Sequence, residues 1–223
     1  MARTSPAAAI APPDLPHPLD YPPFSEPMFS AHGQYEDVNI KGLILSGSNL
    51  PGLVIGPALI SQVRAPGAKW RDLRITDTRV STCDVANADW TGASLQRVVI
   101  LESRLTGVNL SESRFNNVRL TRCKLDNAAF QRSRFDRCRF VGCDLRGADF
   151  DAADLRGVVF RGCDMRGARM MGIRAAGMDL RCSDVDGLAA DIQTLRGAII
   201  DHSQAAYLIQ LCGLTIMSRS DLE

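Results

Sequence analysis

Apolar side chains recur along this chain with a period of five. From Ile40 to Ile200 every residue whose number ends in 0 or 5 is apolar, 33 positions beginning Ile40, Leu45, Leu50, Ile55 and Ile60. A second column lies two residues earlier. Of its 30 members, from Val38 to Ser183, 25 are Ala, Cys, Ser, Thr or Val and five are Leu, Ile or Met. Residues i−2 and i point the same way along an extended backbone, so both columns face one interior. A helix would need apolar residues spaced by 3.6, which this register does not supply. The 24 basic and 19 acidic residues from Glu36 to Ile200 all avoid both columns. Burying a lone charge is costly, so the columns mark a dry interior and the other three positions a wet skin.

Fifteen of the 18 glycines have numbers ending in 2 or 7. A turn in every repeat needs a residue tolerant of unusual backbone angles, and Gly supplies it. The solution is a solenoid of very short strands and turns, each coil burying its inward side chains against the next. The pattern A-(D/N)-(L/F)-x-x, in stretches such as CDLRGADFDAADLRGVVFRGCDMRGA, resembles the pentapeptide-repeat proteins. The resemblance covers residues 36–200. It implies an all-β solenoid, a right-handed four-sided β-helix of about 33 repeats with four repeats per coil. Eight coils at a strand spacing of ~4.8 Å make a rod of roughly 40 Å.

With four repeats per coil, residues 20 apart stack. Trp70 then meets Trp90, Phe130 meets Phe150, Phe115 meets Phe135 and Phe140 meets Phe160. Cys123, Cys143 and Cys163 form a ladder in the same column as Cys83. Burial raises a thiol pKa, so this ladder is expected to be inert packing. The seven cysteines contain no CxxC pair and lie far from the three histidines, so no metal site is expected.

Residues 1–35 hold eight of the eleven prolines and read as an extended arm. Its Tyr21, Phe24, Met28 and Phe29 are expected to fold back over outward apolar residues of the first coils, Ile44, Val54 and Leu59. Residues 36–200 are the repeat body, and 201–223 a helical cap and tail. Asp201-His202-Ser203 caps a helix over roughly 202–212, whose Ala205, Leu208, Leu211 and Cys212 share one face. This face either seals the last coil, since an open β edge invites aggregation, or forms a dimer contact. The family resemblance implies both, so the chain is expected to be a monomer or a homodimer through its C-terminal end.

Catalytic chemistry is sparse. His17, His32 and His202 lie outside the repeat body or at its margin, inward Ser103, Ser113 and Ser133 have no base nearby, and no phosphate loop occurs. Neither an enzyme nor a cofactor is expected. No apolar run reaches ~20 residues and no signal peptide is read at the start, so a cytoplasmic protein off the membrane is expected.

What remains is surface charge. Overall charge is only +1, which excludes a strongly basic nucleic-acid protein and a strongly acidic DNA mimic. Between Arg114 and Arg139 lie eight basic residues (Arg114, Arg119, Arg122, Lys124, Arg132, Arg134, Arg137 and Arg139) and only two acids. Stacking places Arg74, Arg114, Arg134 and Arg174 on one side of the rod and Arg79, Arg119 and Arg139 on the next. Another side carries Asp84, Asp144, Asp164 and Asp184, with Asp89 and Asp149 adjacent. The leading expectation is a non-enzymatic scaffold docking a protein partner along a flat charged face. The resemblance implies one candidate partner, bacterial DNA gyrase or topoisomerase IV, which some members bind by imitating duplex DNA. Duplex DNA carries about one negative charge per 1.7 Å, whereas this repeat body is net basic, and no projecting loop interrupts the coils. The alternatives are nucleic-acid binding through the basic belt 114–139 and a structural part of a larger assembly.

Overall fold

In the computed structural model, residues 10–14, 29–211 and 213 are described. Strand pairing is parallel throughout and always links a residue to the one twenty further along. Arg74 pairs with Ser94, Ser94 with Arg114 and Arg114 with Arg134. Isolated bridges continue this register, as in Asp144 to Asp164 to Asp184. One turn therefore takes four pentapeptides, and the chain winds into the expected four-sided β-helix. Each side holds only two or three extended residues before the next corner, which keeps most strands at two to four residues. Arg74–Ser81, Ser94–Leu101 and Arg114–Thr121 are longer, at eight residues each, because their strands run through one corner.

The corners depart from a glycine-only reading. Gly142 and Gly147 do adopt the left-handed region, with φ of 60° and 64°. Thr82, Glu102, Arg122 and Ala152 adopt it as well, with φ of 51°, 47°, 50° and 59°. The winding of the backbone imposes the conformation at each corner, and packing of the two inward columns outweighs the steric cost to a side-chain-bearing residue.

Inside, the stacked aromatic pairs form as expected. Ring centroids are 6.0 Å apart for Trp70–Trp90, 4.5 Å for Phe115–Phe135, 4.8 Å for Phe130–Phe150 and 5.0 Å for Phe140–Phe160, with the ring planes nearly parallel in every pair. Edge-on contacts link the ladders across the rod, with Phe140 meeting Phe130 at 6.1 Å and Phe150 at 6.3 Å. The Trp70 indole donates to Ser48 Oγ at 2.9 Å, whereas the Trp90 indole N–H is buried with no acceptor among the described residues. Small inward residues hold the backbone between rings. Ser113 Oγ donates to the Trp90 carbonyl at 3.3 Å and Ser133 Oγ to the Leu110 carbonyl at 2.7 Å. Cysteine takes the same place: Cys123 Sγ points at the Ile100 carbonyl at 3.5 Å and Cys138 Sγ at the Phe115 carbonyl at 3.5 Å. Burial pushes the Cys83 thiol up and the Cys138 thiol up to about 12. The Cys83 and Cys138 thiols stay protonated at neutral pH and act as small hydrophobes.

At the N-terminal end Phe29 packs on the core and against Tyr35, with ring centroids 4.6 Å apart. Ile44 stays 72% exposed on the outer surface. At the other end the helix His202–Gln210 carries a complete capping box, Asp201 accepting from the Ser203 and Gln204 amides while Gln204 accepts from the Asp201 amide. Asp201 Oδ2 also accepts from the Cys182 amide at 2.8 Å, tying the cap to the last coils. Leu208 is buried, with Ala205 and Leu211 half-buried beside it. Gln204, absent from the apolar face expected for this helix, is 2% exposed. Its Nε2 donates to the carbonyls of Leu180 at 2.5 Å and Ser183 at 2.7 Å, so the cap satisfies the open end of the ladder with an amide as well as covering it with leucine. Tyr21, Phe24, Met28, Cys212 and the residues after 213 lie outside the described residues. No helix among the described residues is long and apolar enough to cross a membrane.

Candidate interaction surface

Side chains one residue before and after each inward apolar position point outward, so each side of the rod displays two outward columns. On the side centred on Phe115 and Phe135, Arg114 and Arg134 occupy adjacent rungs. On the neighbouring side, centred on Leu120 and Phe140, Arg119 and Arg139 do the same. The four form a block two turns high that straddles one edge. Arg114, Arg119 and Arg134 are exposed and Arg139 is half-buried. Arg74 and Arg79 share these two sides but are separated from the block by Ser94 and Val99. Asp154 interrupts the column between Arg134 and Arg174. Beside the block a surface trough of about 650 Å³ runs past Ser94, Gln96, Arg114, Asn116, Arg134 and Asp136.

The rest of the basic belt does not join this block. Arg122 sits at another corner and pairs with Glu102, and Arg132 pairs with Glu112 at 2.6 Å. Arg137 stands at the same edge but engages Asp136 at 2.9 Å. Lys124 lies on a different side, between Arg104 and Asp144. The twenty-residue spacing between Glu102 and Arg122, and between Glu112 and Arg132, is the sequence signal that would have removed both from the free charges.

The side carrying Asp84, Asp144, Asp164 and Asp184 is likewise interleaved with cations. Asp84 meets Arg104 at 3.5 Å. Arg146 holds Asp144 through both nitrogens, at 2.8 and 2.6 Å, and reaches Asp164 at 3.7 Å. Arg166 repeats this with Asp164 at 2.9 and 2.7 Å and reaches Asp184 at 3.6 Å. Stacked carboxylates are tolerated because a guanidinium lies between successive rungs. The Arg146 and Arg166 hydrogen bonds hold the Asp144 and Asp164 carboxyls below the usual range. Asp89 and Asp149, one side away, are met by Arg71 at 2.7 Å and Arg169 at 3.7 Å. Asp-x-Arg spacing in the sequence already carries the intra-repeat pairs.

Among the described residues, Arg114, Arg119 and Arg134 make no ion pair or side-chain hydrogen bond, and no group of three His, Cys, Asp or Glu side chains gathers as a metal site. The arrangement can hold an anionic surface by charge and by bidentate guanidinium contacts.

Comparison with known proteins gives two family-model matches. A model described as pentapeptide repeats (8 copies) matches residues 76–111, and one described as a pentapeptide repeat region matches 113–189, together just over half of the chain. No curated protein sequence matches. Among solved structures the chain is similar to a trypsin-treated form of QnrB1, a plasmid-mediated fluoroquinolone resistance protein, at 19% identity over 87% of this chain and 94% of that one, with a TM-score of 0.45. It is similar also to HetL, a pentapeptide repeat protein involved in heterocyst differentiation regulation in the cyanobacterium Nostoc, at 17% identity over 74% of this chain and 86% of that one, with a TM-score of 0.35.

Proposed function

Because the chain belongs to the pentapeptide-repeat family and presents a rigid solenoid, we propose that it is a non-enzymatic scaffold docking an acidic protein along the edge that bears Arg114, Arg119, Arg134 and Arg139. The observation that carries this reading is the contrast between paired and unpaired cations. Arg122, Arg132, Arg146, Arg156 and Arg166 each hold a carboxylate, whereas Arg114, Arg119 and Arg134 hold none among the described residues. Stacked like charges repel, and an acidic partner relieves that repulsion. A rigid rod also loses little entropy on binding.

The test uses fluorescein-labelled poly-glutamate and a labelled DNA duplex as probes, with wild type and an Arg114→Glu/Arg119→Glu/Arg134→Glu variant. Poly-glutamate binding that weakens with salt and falls at least tenfold in the variant is the expected result. Equal binding by both proteins overturns the reading, and tight duplex binding lost in the variant replaces it with a nucleic-acid contact.

A type II DNA topoisomerase is the narrower reading of the partner. A surface built to hold duplex DNA is basic and opposes these arginines, so the side with Asp144, Asp164 and Asp184 would have to serve it. Gyrase supercoiling with micromolar protein decides the matter: no inhibition and no protection from a quinolone removes it. The C-terminal helix leaves Ile209 39% exposed in a surface hollow that it shares with Ile200, which supports a homodimer contact there. Sedimentation equilibrium of wild type and Ile209→Glu checks it, the dimer being expected only in the wild type.

A further inference from the structure

The edge between the two arginine-bearing sides is also where the N-terminal segment rests. Its corner column runs Asp77, Arg97, Asn117, Arg137. The Ala11 amide donates to Asn117 Oδ1 at 3.2 Å and the Asp14 amide to Asp77 Oδ1 at 3.1 Å. The two acceptors are two turns apart, or ~10 Å at the usual strand spacing, and three extended residues span the same ~10 Å. Residues 11–14 therefore run lengthwise along the edge, across the strands rather than with them. Pro12 and Pro13 between the anchors favour an extended backbone without needing hydrogen bonds of their own. Arg97, which grips Asp77 with two nitrogens, also feels the Asp14 carboxylate. Asp77 and Asn117 are 8% and 7% exposed, whereas corner residues such as Glu102, Glu112, Arg122 and Arg132 are open to solvent. The segment meets the rod at the very turn that carries Arg114 and Arg119.

We propose that this corner is a track for an extended, proline-containing acidic peptide, and that residues 10–14 are a strap occupying it until a partner's segment of the same chemistry takes their place. The competition between strap and partner rests on the arginine-edge reading above; the track itself does not. Two side-chain acceptors receive the peptide's amides, the Arg97 charge attracts its carboxylate, and the block of arginines lies beside it for further acids. Asp14 is the chain's own version of the acidic group the partner brings. The strap is mostly exposed and, among the described residues, two hydrogen bonds tie it to the rod, so it is easily lifted.

The experiment opens the strap without touching the rod. Ala11→Pro/Asp14→Pro removes both anchoring N–H groups and the carboxylate. Binding of a labelled AIAPPDLP peptide and of labelled poly-glutamate is measured by anisotropy on the full chain, wild type against this variant. The peptide is expected to bind the variant about tenfold more tightly, since two hydrogen bonds of ordinary net strength no longer compete from within. Adding Asn117→Ala to the variant is expected to abolish the gain. Poly-glutamate is expected to bind the opened variant more tightly as well. Unchanged peptide affinity, or Ala11 and Asp14 amides that exchange with deuterium at unprotected rates in the wild type, overturns the strap. A gain for the peptide with no poly-glutamate binding by either protein keeps the strap and sinks the arginine-edge reading. Poly-glutamate binding that is equal in both proteins and is lost on reversing the arginines keeps that reading and sinks the competition.

Discussion

Trp90 offers a direct test of how strictly the twenty-residue register governs side-chain chemistry. Its neighbour Trp70 stacks on it with ring planes 11° apart and donates to Ser48 Oγ at 2.9 Å. One turn on from Ser48 is Ala68, which is 0% exposed, and Trp90 Nε1 has no acceptor among the described residues. Ala68→Ser should supply one. The new hydroxyl also needs an acceptor for its own proton. Inward serines in this rod donate to the carbonyl 23 residues earlier or two residues earlier, as Ser133 does to Leu110 and Ser103 to Leu101. For position 68 these are the Leu45 and Pro66 carbonyls, each accepting one amide already and keeping a second lone pair. An unsatisfied buried donor costs roughly 1–3 kcal/mol, and burying one more hydroxyl returns part of that, so the net gain is about 1 kcal/mol. For a chain of this size that is about 2–4 °C in Tm. The reciprocal change Ser48→Ala orphans the Trp70 indole and should cost about 1–2 kcal/mol. Urea denaturation followed by tryptophan emission measures both, with m-values compared to verify that the transition is unchanged. Indole N–H resonances of 15N-tryptophan protein show whether a hydrogen bond has formed. Ala68→Cys, similar in volume and a poor acceptor, should gain little. A serine variant less stable than wild type, with the Trp90 indole resonance unmoved, would refute the reasoning.

Phe140 is fully buried against Phe160, Phe130 and Phe150, and Phe140→Ala should cost about 3–5 kcal/mol by the same denaturation assay, with loss confined to neighbouring coils in hydrogen exchange. Thr82 carries a β-branched side chain at φ 51°, so Thr82→Gly should raise stability by roughly 0.5–1 kcal/mol, read as a higher denaturation midpoint. The Asp144, Asp154, Asp164 and Asp179 carboxyls are held below their ordinary values first by the arginine two residues on in each case. Their contribution is therefore complete above the unfolded carboxylate pKa of about 3.9 and is lost as pH falls through the depressed folded values. Melting temperature should be flat near neutrality and drop below about pH 4, less steeply in Asp154→Asn.

The inward columns and their twenty-residue stacking were legible because each inward position has one requirement, an apolar group that fits the group one turn away. Surface readings needed a second application of the same rule. Taken with its sequence neighbours alone Arg122 belongs to a basic face, and Glu102, one turn back, removes it from that face. Corner conformation was not legible, since Thr82 and Ala152 give no local sign of the left-handed angles that the winding imposes on them. Gln204 is not legible from a helix-face pattern, which weighs apolarity, whereas its role is to satisfy two carbonyls at the end of the ladder. The contact of residues 11 and 14 with Asn117 and Asp77 spans 106 and 63 positions and obeys no repeat, so no periodic pattern could disclose it.

The unvarying register between coils gives this molecule an unusual arithmetic of insertion and loss. Adding or removing a whole coil of twenty residues lengthens or shortens the rod and leaves every side facing as before. A single extra pentapeptide keeps both buried columns continuous but rotates everything beyond it by a quarter turn. Placed after Val141, it would swing Asp144, Asp164 and Asp184 off the side that carries Lys124 while the core simply repacks rung on rung. The protein can thus redraw its outer surface by slippage in its gene without redesigning its interior, and two relatives with equal folds can differ in which charges share a side.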